Sequence, residues 1–166
     1  AMLYLAAAQA LAGHETVCYI PTDSPGMQFG VEVLDYRNEW PRLRRMDNAD
    51  VVISWLSADS LRGLSEKTVR IHSLQINDFL MCGYGYEKWV DAFVFVSQAH
   101  QSHLMKQVGN PGSQATTTII PNGTDFTTFS NRSYRIRKKC VYASSPDRGL
   151  HWLLHIWPDI RRAHPD

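Results

Sequence analysis

The chain has 166 residues, 44% of them hydrophobic and 20% charged, the proportions of a globular protein with room for one ordinary domain and a real core. Its 17 Lys and Arg against 16 Asp and Glu leave a net charge of +1, without the basic excess of a nucleic-acid-binding surface. Small anionic ligands stay within range, because one or two well-placed cations suffice for them.

Residues 2–12 are good helix formers, and Gly13 is placed to end that helix. The β-rich run 16–20 follows and stops at Pro21; residues 31–34 make another strand. Residues 50–55 are a stronger one, with Val51, Val52 and Ile53 continuous and apolar as in a parallel strand covered on both faces. Residues 68–74 predict a weaker strand. The apolar run 93–96 predicts a strong one, after which Ser97 opens a helix to about Val108. Residues 117–120 form a strand ended by Pro121, Asn122 and Gly123, and 124–137 read as a polar, basic connector. A last strand, 139–143, leads into a helix over 149–163 whose core side would carry Trp152, Ile156, Trp157 and Ile160. Strands alternating with helices predict an α/β fold, a Rossmann-like open parallel sheet with flanking helices and ligands beyond the carboxyl ends of the strands.

Cys18, Cys82 and Cys140 are odd in number, widely spaced and without a CxxC pair, so buried reduced thiols in a cytoplasmic protein are expected, with no structural zinc. No apolar run reaches membrane-spanning length. The opening AMLYLAAAQALAG lacks the basic start of a signal peptide and reads as a helix. Asn122-Gly-Thr and Asn131-Arg-Ser are then chance matches to the glycosylation pattern. His151 with His155, and His100 with His103, have chelating spacings, but no third ligand is evident and no metal is expected.

VYASSPDRGL, residues 141–150, is the most informative stretch: a strand, a short polar turn and a helix start with Arg148 in the turn. Backbone N–H groups at a helix start point outward, the helix dipole is positive there, and a guanidinium adds forked donors, so a phosphate or diphosphate fits. The predicted order also looks cut at both ends. A doubly wound domain starts with a strand and a glycine-rich turn before its first helix, and one strand with one helix after the connector cannot close a second core.

In that order, the chain resembles retaining glycosyltransferases of the GT-B fold, the large group that includes sucrose synthases and bacterial mannosyltransferases. ALAGHETVCYI is similar to that family's passage from first helix to second strand. VDAFVFVSQAHQSHL, residues 90–104, resembles the segment entering a late helix of its first domain. IIPNGTDFTTF, residues 119–129, is similar to the "IPNG-[VI]-D-x-x-x-F" stretch that closes that domain. VYASSPDRGLHWLLHIWPDIRRAHPD resembles the start of the donor-binding domain.

The resemblance implies an acceptor-side Rossmann-like domain over 1–130, lacking its first strand, and a linker with the start of the donor-binding domain over 131–166. It implies transfer of a sugar, with retention, from a nucleotide-diphosphate sugar to a hydroxyl acceptor on a glycan, lipid or protein, without a metal or other cofactor. Arg148 matches the family's lysine before Gly149 and would pair with the donor diphosphate. Ser144 and Ser145 stand where the family has an arginine, supplying donors without charge. Asn122 and Gly123 fall at the domain-boundary turn near the cleft, where Asn-Gly is also a common turn pair. The catalytic residues are not selected by the sequence. Within RIHSLQINDF, residues 70–79, His72, Gln75 and Asp78 are all cleft candidates, and the spacing does not choose among them. Many relatives act on lipids, yet no basic amphipathic helix here supports a membrane role.

The family's paired glutamates would lie beyond Asp166, so the chain alone is expected to be inactive. The competing reading is a non-catalytic or degenerate GT-B-like binding module, towards which the missing arginine leans. A small nucleotide- or flavin-binding α/β protein is disfavoured because neither GxGxxG nor GxxxxGK[ST] occurs.

Overall fold

The structure, a computed structural model, describes residues 2–55, 57–75, 89–108, 115–123 and 139–165. Of Glu39, Trp40, Pro41, Leu43, Gln107 and Val108 it describes the backbone alone. The fold is α/β, and the chain divides into two units, Ala1–Gly123 and Thr124–Asp166.

In the first unit, the alanine-rich helix α1 (Met2–Leu11) ends where Gly13, at φ 95°, donates its N–H to the Ala10 carbonyl at 3.0 Å. Strand β1 (Val17–Ile20) runs parallel to β3 (Val31–Asp35), and the short β2 (Gly26–Gln28) pairs antiparallel on the far side of β3. Helix α1 covers this three-stranded sheet. Ala6 packs with Cys18, Val31 and Val33 in a small core of its own, and burial pushes the Cys18 thiol up from its ordinary pKa.

Helix α2 (Glu39–Asp47) leads to a second sheet, in which β4 (Val51–Trp55), β5 (Val69–Ser73), β6 (Ala92–Phe95) and β7 (Thr116–Ile119) lie side by side in chain order, all parallel. Helix α3 (Gln98–Val108) connects the last two. The register aligns Ser54, His72, Phe93 and Thr117 in one row across the sheet. Side chains alternate between faces along a strand, so the face carrying Val52, Ser54, His72, Phe93 and Phe95 is the core face. It packs against Met46 of α2, Leu104 of α3, and Leu61 and Leu64 of the β4–β5 connection.

The opposite face corrects the expectation that β4 is covered on both sides. Val51 is 49% exposed and Val69, beside it in register, 47%. Two elements have little sequence signal. β2 is only three residues long, and α2 is charged (EWPRLRRMD), with its proline in the first turn, where the missing N–H costs nothing.

The start of the second sheet is tied by Arg70 and Asp91. The Asp91 carboxylate accepts the Arg70 backbone N–H at 2.7 Å, Nε at 3.0 Å and Nη2 at 2.8 Å. The guanidinium holds this carboxyl below its usual pKa range. Asp91 is partly open to solvent, which weakens the charge term. Asp91→Ala is expected to cost about 1–2 kcal/mol in urea unfolding at neutral pH. Asp91→Asn should recover part of that loss by keeping an acceptor for the Arg70 N–H.

In the second unit, residues 139–143 do not form the expected strand. A strand needs a neighbour for its N–H and C=O groups, and the segment has none among the described residues; Val141 is 78% exposed. Cys140 is accordingly exposed, not buried as expected. A 3-10 turn, Pro146–Arg148, precedes helix α4 (Leu150–Ala163). The helix matches the prediction, but its core side does not. Trp157 and Ile160 are half-buried with Leu150 and Leu153, while Trp152 and Ile156 are exposed.

Candidate functional site

Two places carry chemistry, one in each unit. The first lies at the carboxyl ends of β5 and β6, where open parallel sheets bind ligands. A cavity of about 400 Å³ is lined there by Gln75, Val96, Ser97, Ala99, His100 and His103. Ser97 is the N-cap of α3, its Oγ accepting the His100 N–H at 3.1 Å. The imidazole of His100 folds back, and its Nδ1 accepts the Val96 N–H at 3.4 Å while the ring meets Phe95 edge-on. With Nδ1 as acceptor, the neutral ring carries its proton on Nε2. Gln75 Nε2 donates to Ser73 Oγ at 3.2 Å, and Gln101 Nε2 donates to Thr117 Oγ1, tying α3 to β7. Among the described residues the wall offers amide, hydroxyl and imidazole groups and no Asp, Glu, Lys or Arg. These amide, hydroxyl and imidazole groups can exchange hydrogen bonds with hydroxyl groups.

Of the three cleft candidates, Gln75 lines this cavity. His72 does not: it is fully buried on the core face, 2.7 Å from Ser54 Oγ through Nδ1 and edge-on to Phe93. Burial drives its pKa down to about 4, against a smaller opposing effect of a hydrogen bond to the Ser54 backbone. Sequence cannot separate the two residues, because the end of β5 and its register, which put His72 inside the sheet and Gln75 beyond it, are properties of the sheet. Asp78 lies outside the described residues. His100 and His103 reach the cavity wall as neighbours on one helix face, a juxtaposition visible in their spacing but weighed there only for metal. Among the described residues no three His, Cys, Asp or Glu side chains are grouped to hold a metal ion.

The second place is the turn at 144–149. Ser145 is extended, Pro146 fixes the first position of the 3-10 turn, and the Arg148 N–H closes it on the Ser145 carbonyl at 3.0 Å. Tyr142 Oη donates to the same carbonyl at 3.0 Å. Gly149 then takes φ 101°, a left-handed conformation that other residues rarely adopt, and its carbonyl accepts the Leu153 N–H to begin α4. The first N–H groups of α4 have no partner within the helix. Ser144, Ser145 and Arg148 are exposed beside them, and Arg148 makes no ion pair among the described residues. Asp147 sets an opposing charge in the same turn. Asn122 and Gly123 are exposed and irregular after β7, at the division between the units.

No protein-family model matches this chain, and no curated protein or solved structure matches it either. Among the described residues no helix is long and apolar enough to cross a membrane.

Proposed function

We propose that this chain is part of a retaining glycosyltransferase of the GT-B type, in which the first unit faces a hydroxyl acceptor and the 144–149 turn faces the diphosphate of a nucleotide-sugar donor. The observation that carries this reading is Arg148, exposed in a turn that ends on the left-handed Gly149 and the open amino end of α4. A departing nucleoside diphosphate concentrates negative charge. A guanidinium and backbone N–H groups fixed in advance stabilise that charge as it develops, and Ser144 and Ser145 add neutral donors. The amide, hydroxyl and imidazole groups around Gln75 and His103 suit the acceptor's hydroxyl groups.

The test is release of nucleoside diphosphate from UDP- and GDP-sugars by the full gene product. Arg148→Ala is expected to lower kcat/KM about a hundredfold, the scale of one transition-state donor lost. Unchanged turnover in the variant would remove Arg148 from the site. Binding of nucleotide sugar without turnover by the natural protein would assign it to the degenerate binding modules, the reading favoured by serines where the family carries arginine.

A further inference from the structure

Three arginines lie on α2 or just before it, and their pairing runs against their burial. Arg37 is bonded to Asp35 at 2.9 Å and to Asp23 at 2.6 Å, and Arg45 to Glu32 at 2.7 Å. Both are open to solvent, with side chains 58% and 41% exposed. Arg42, one turn before Arg45, is only 8% exposed and has no ion pair among the described residues. Its Nε and Nη1 are buried without a hydrogen bond. The most buried of the three cations is therefore the one without a carboxylate, whereas folded proteins pair the charges they bury.

A second buried donor lies on β1. The hydroxyl of Tyr19 is closed off and also has no hydrogen bond. Burial pushes its pKa up, with the nearby charges of Arg45 and Arg42 acting against that, so the hydroxyl keeps its proton and stays a donor. The Arg42 guanidinium stands 4.0 Å over the Tyr36 ring, and the Tyr36 N–H donates to the Ile20 carbonyl at 3.0 Å, at the close of β1. Arg42 and Tyr19 line one cavity. Its wall on this side is Ile20, Pro21, Tyr36, Trp55, Ser57 and Ser60, residues that end or follow β1, β3 and β4. Its acidic lining residues, Glu15 and Asp50, precede β1 and β4 and belong to the other end.

We infer that Arg42 and Tyr19 hold an oxyanion, a phosphate or a carboxylate, on a small ligand that enters at the carboxyl ends of β1 and β4. Open parallel sheets take their ligands at these strand ends. A guanidinium and a protonated hydroxyl together call for an acceptor that is also a counter-charge, and an oxyanion is both. The carboxylates around α2 cannot serve, because Asp23, Asp35 and Glu32 are already bonded to Arg37 and Arg45. Trp55 and Tyr36 offer ring faces, and Ser60 a hydroxyl, to the body of the ligand. The site does not depend on the transferase assignment or on Arg148.

Titration calorimetry and thermal unfolding test this with inorganic phosphate, glucose 6-phosphate and glucuronate, and with glucose as the neutral control. The anions are expected to bind and to raise the unfolding midpoint, and glucose to do neither. Either oxyanion as the tighter binder supports the inference and names the group. Arg42→Met keeps the apolar stem and removes the charge. It should fold at least as stably, having lost an unpaired buried cation, and bind the anions about tenfold more weakly or worse. Tyr19→Phe removes the hydroxyl alone and should weaken binding about fivefold, which keeps the test open if Arg42→Met does not fold. Arg148→Ala, which removes the diphosphate contact of the transferase reading, should bind these anions as the natural protein does. Three results would overturn the inference: no anion binds, the Arg42 and Tyr19 variants bind as the natural protein does, or binding is lost in Arg148→Ala and kept in Arg42→Met, which would assign the anion to the 144–149 turn.

Discussion

Phe95→Ala should cost about 3–5 kcal/mol, at the upper end of what a single truncation costs. Phe95 is fully buried at the carboxyl end of β6. Its ring lies 6.5 Å from Phe93 and meets His100 edge-on at 5.8 Å, so one side chain joins the sheet's aromatic row to α3. Removal takes away the transfer energy of a phenyl ring and leaves a void that a parallel sheet, held on both sides by ladder bonds, cannot close. A domain holds only about 5–15 kcal/mol in all, so the variant stands near the unfolding threshold. Urea denaturation followed by tryptophan fluorescence measures the shift. A loss under about 1 kcal/mol would mean that β6 is not packed as described.

Acidification should destabilise the first unit through His72. Its pKa is about 4 in the fold, against 6.5 for an unburied histidine. Between those values the unfolded chain takes up a proton that the folded chain refuses, so stability is complete above pH 6.5 and falls as pH drops towards 4. A difference of that size corresponds to about 3 kcal/mol when the whole window is crossed, and to about 2–3 kcal/mol between pH 7.5 and 4.5. Several carboxylates, Asp91 among them, also weaken the fold in acid, because pairing with arginine has lowered their pKa values. The measurement is therefore a comparison. His72→Asn keeps a polar partner for Ser54 but cannot be protonated, and its stability should fall less steeply between pH 7.5 and 4.5. Parallel slopes for the two proteins would show that His72 is accessible to protons in the fold.

The sequence makes the strong strands legible because their apolar runs are short, dense and bounded by turn residues. β4 and β6 fall where Val51-Val52-Ile53 and Phe93-Val94-Phe95 predict them. It is silent where an element owes its existence to a neighbour. β2 is a strand only because β3 offers an edge, and 139–143, equally apolar, is not one for want of such an edge. The candidate site divides in the same way. The turn around Arg148 and Gly149 is local chemistry, readable from proline, glycine and the helix that follows. The Gln75 cavity and the orphaned donors of Arg42 and Tyr19 are tertiary, assembled from residues that lie far apart in the chain. The full burial of His72 likewise depends on which face of β5 meets α3.

The second unit, by contrast, has no fully buried side chain among its described residues. A 14-residue helix whose side chains are at most half-buried draws little stability from packing, so it leans towards helix–coil behaviour, gaining and losing turns from its ends. Heating would then absorb enthalpy sharply for the first unit and gradually for α4. A single melting temperature fitted to the whole chain would describe the sheets around Phe93 and Phe95 and say nothing about the turn that carries Arg148.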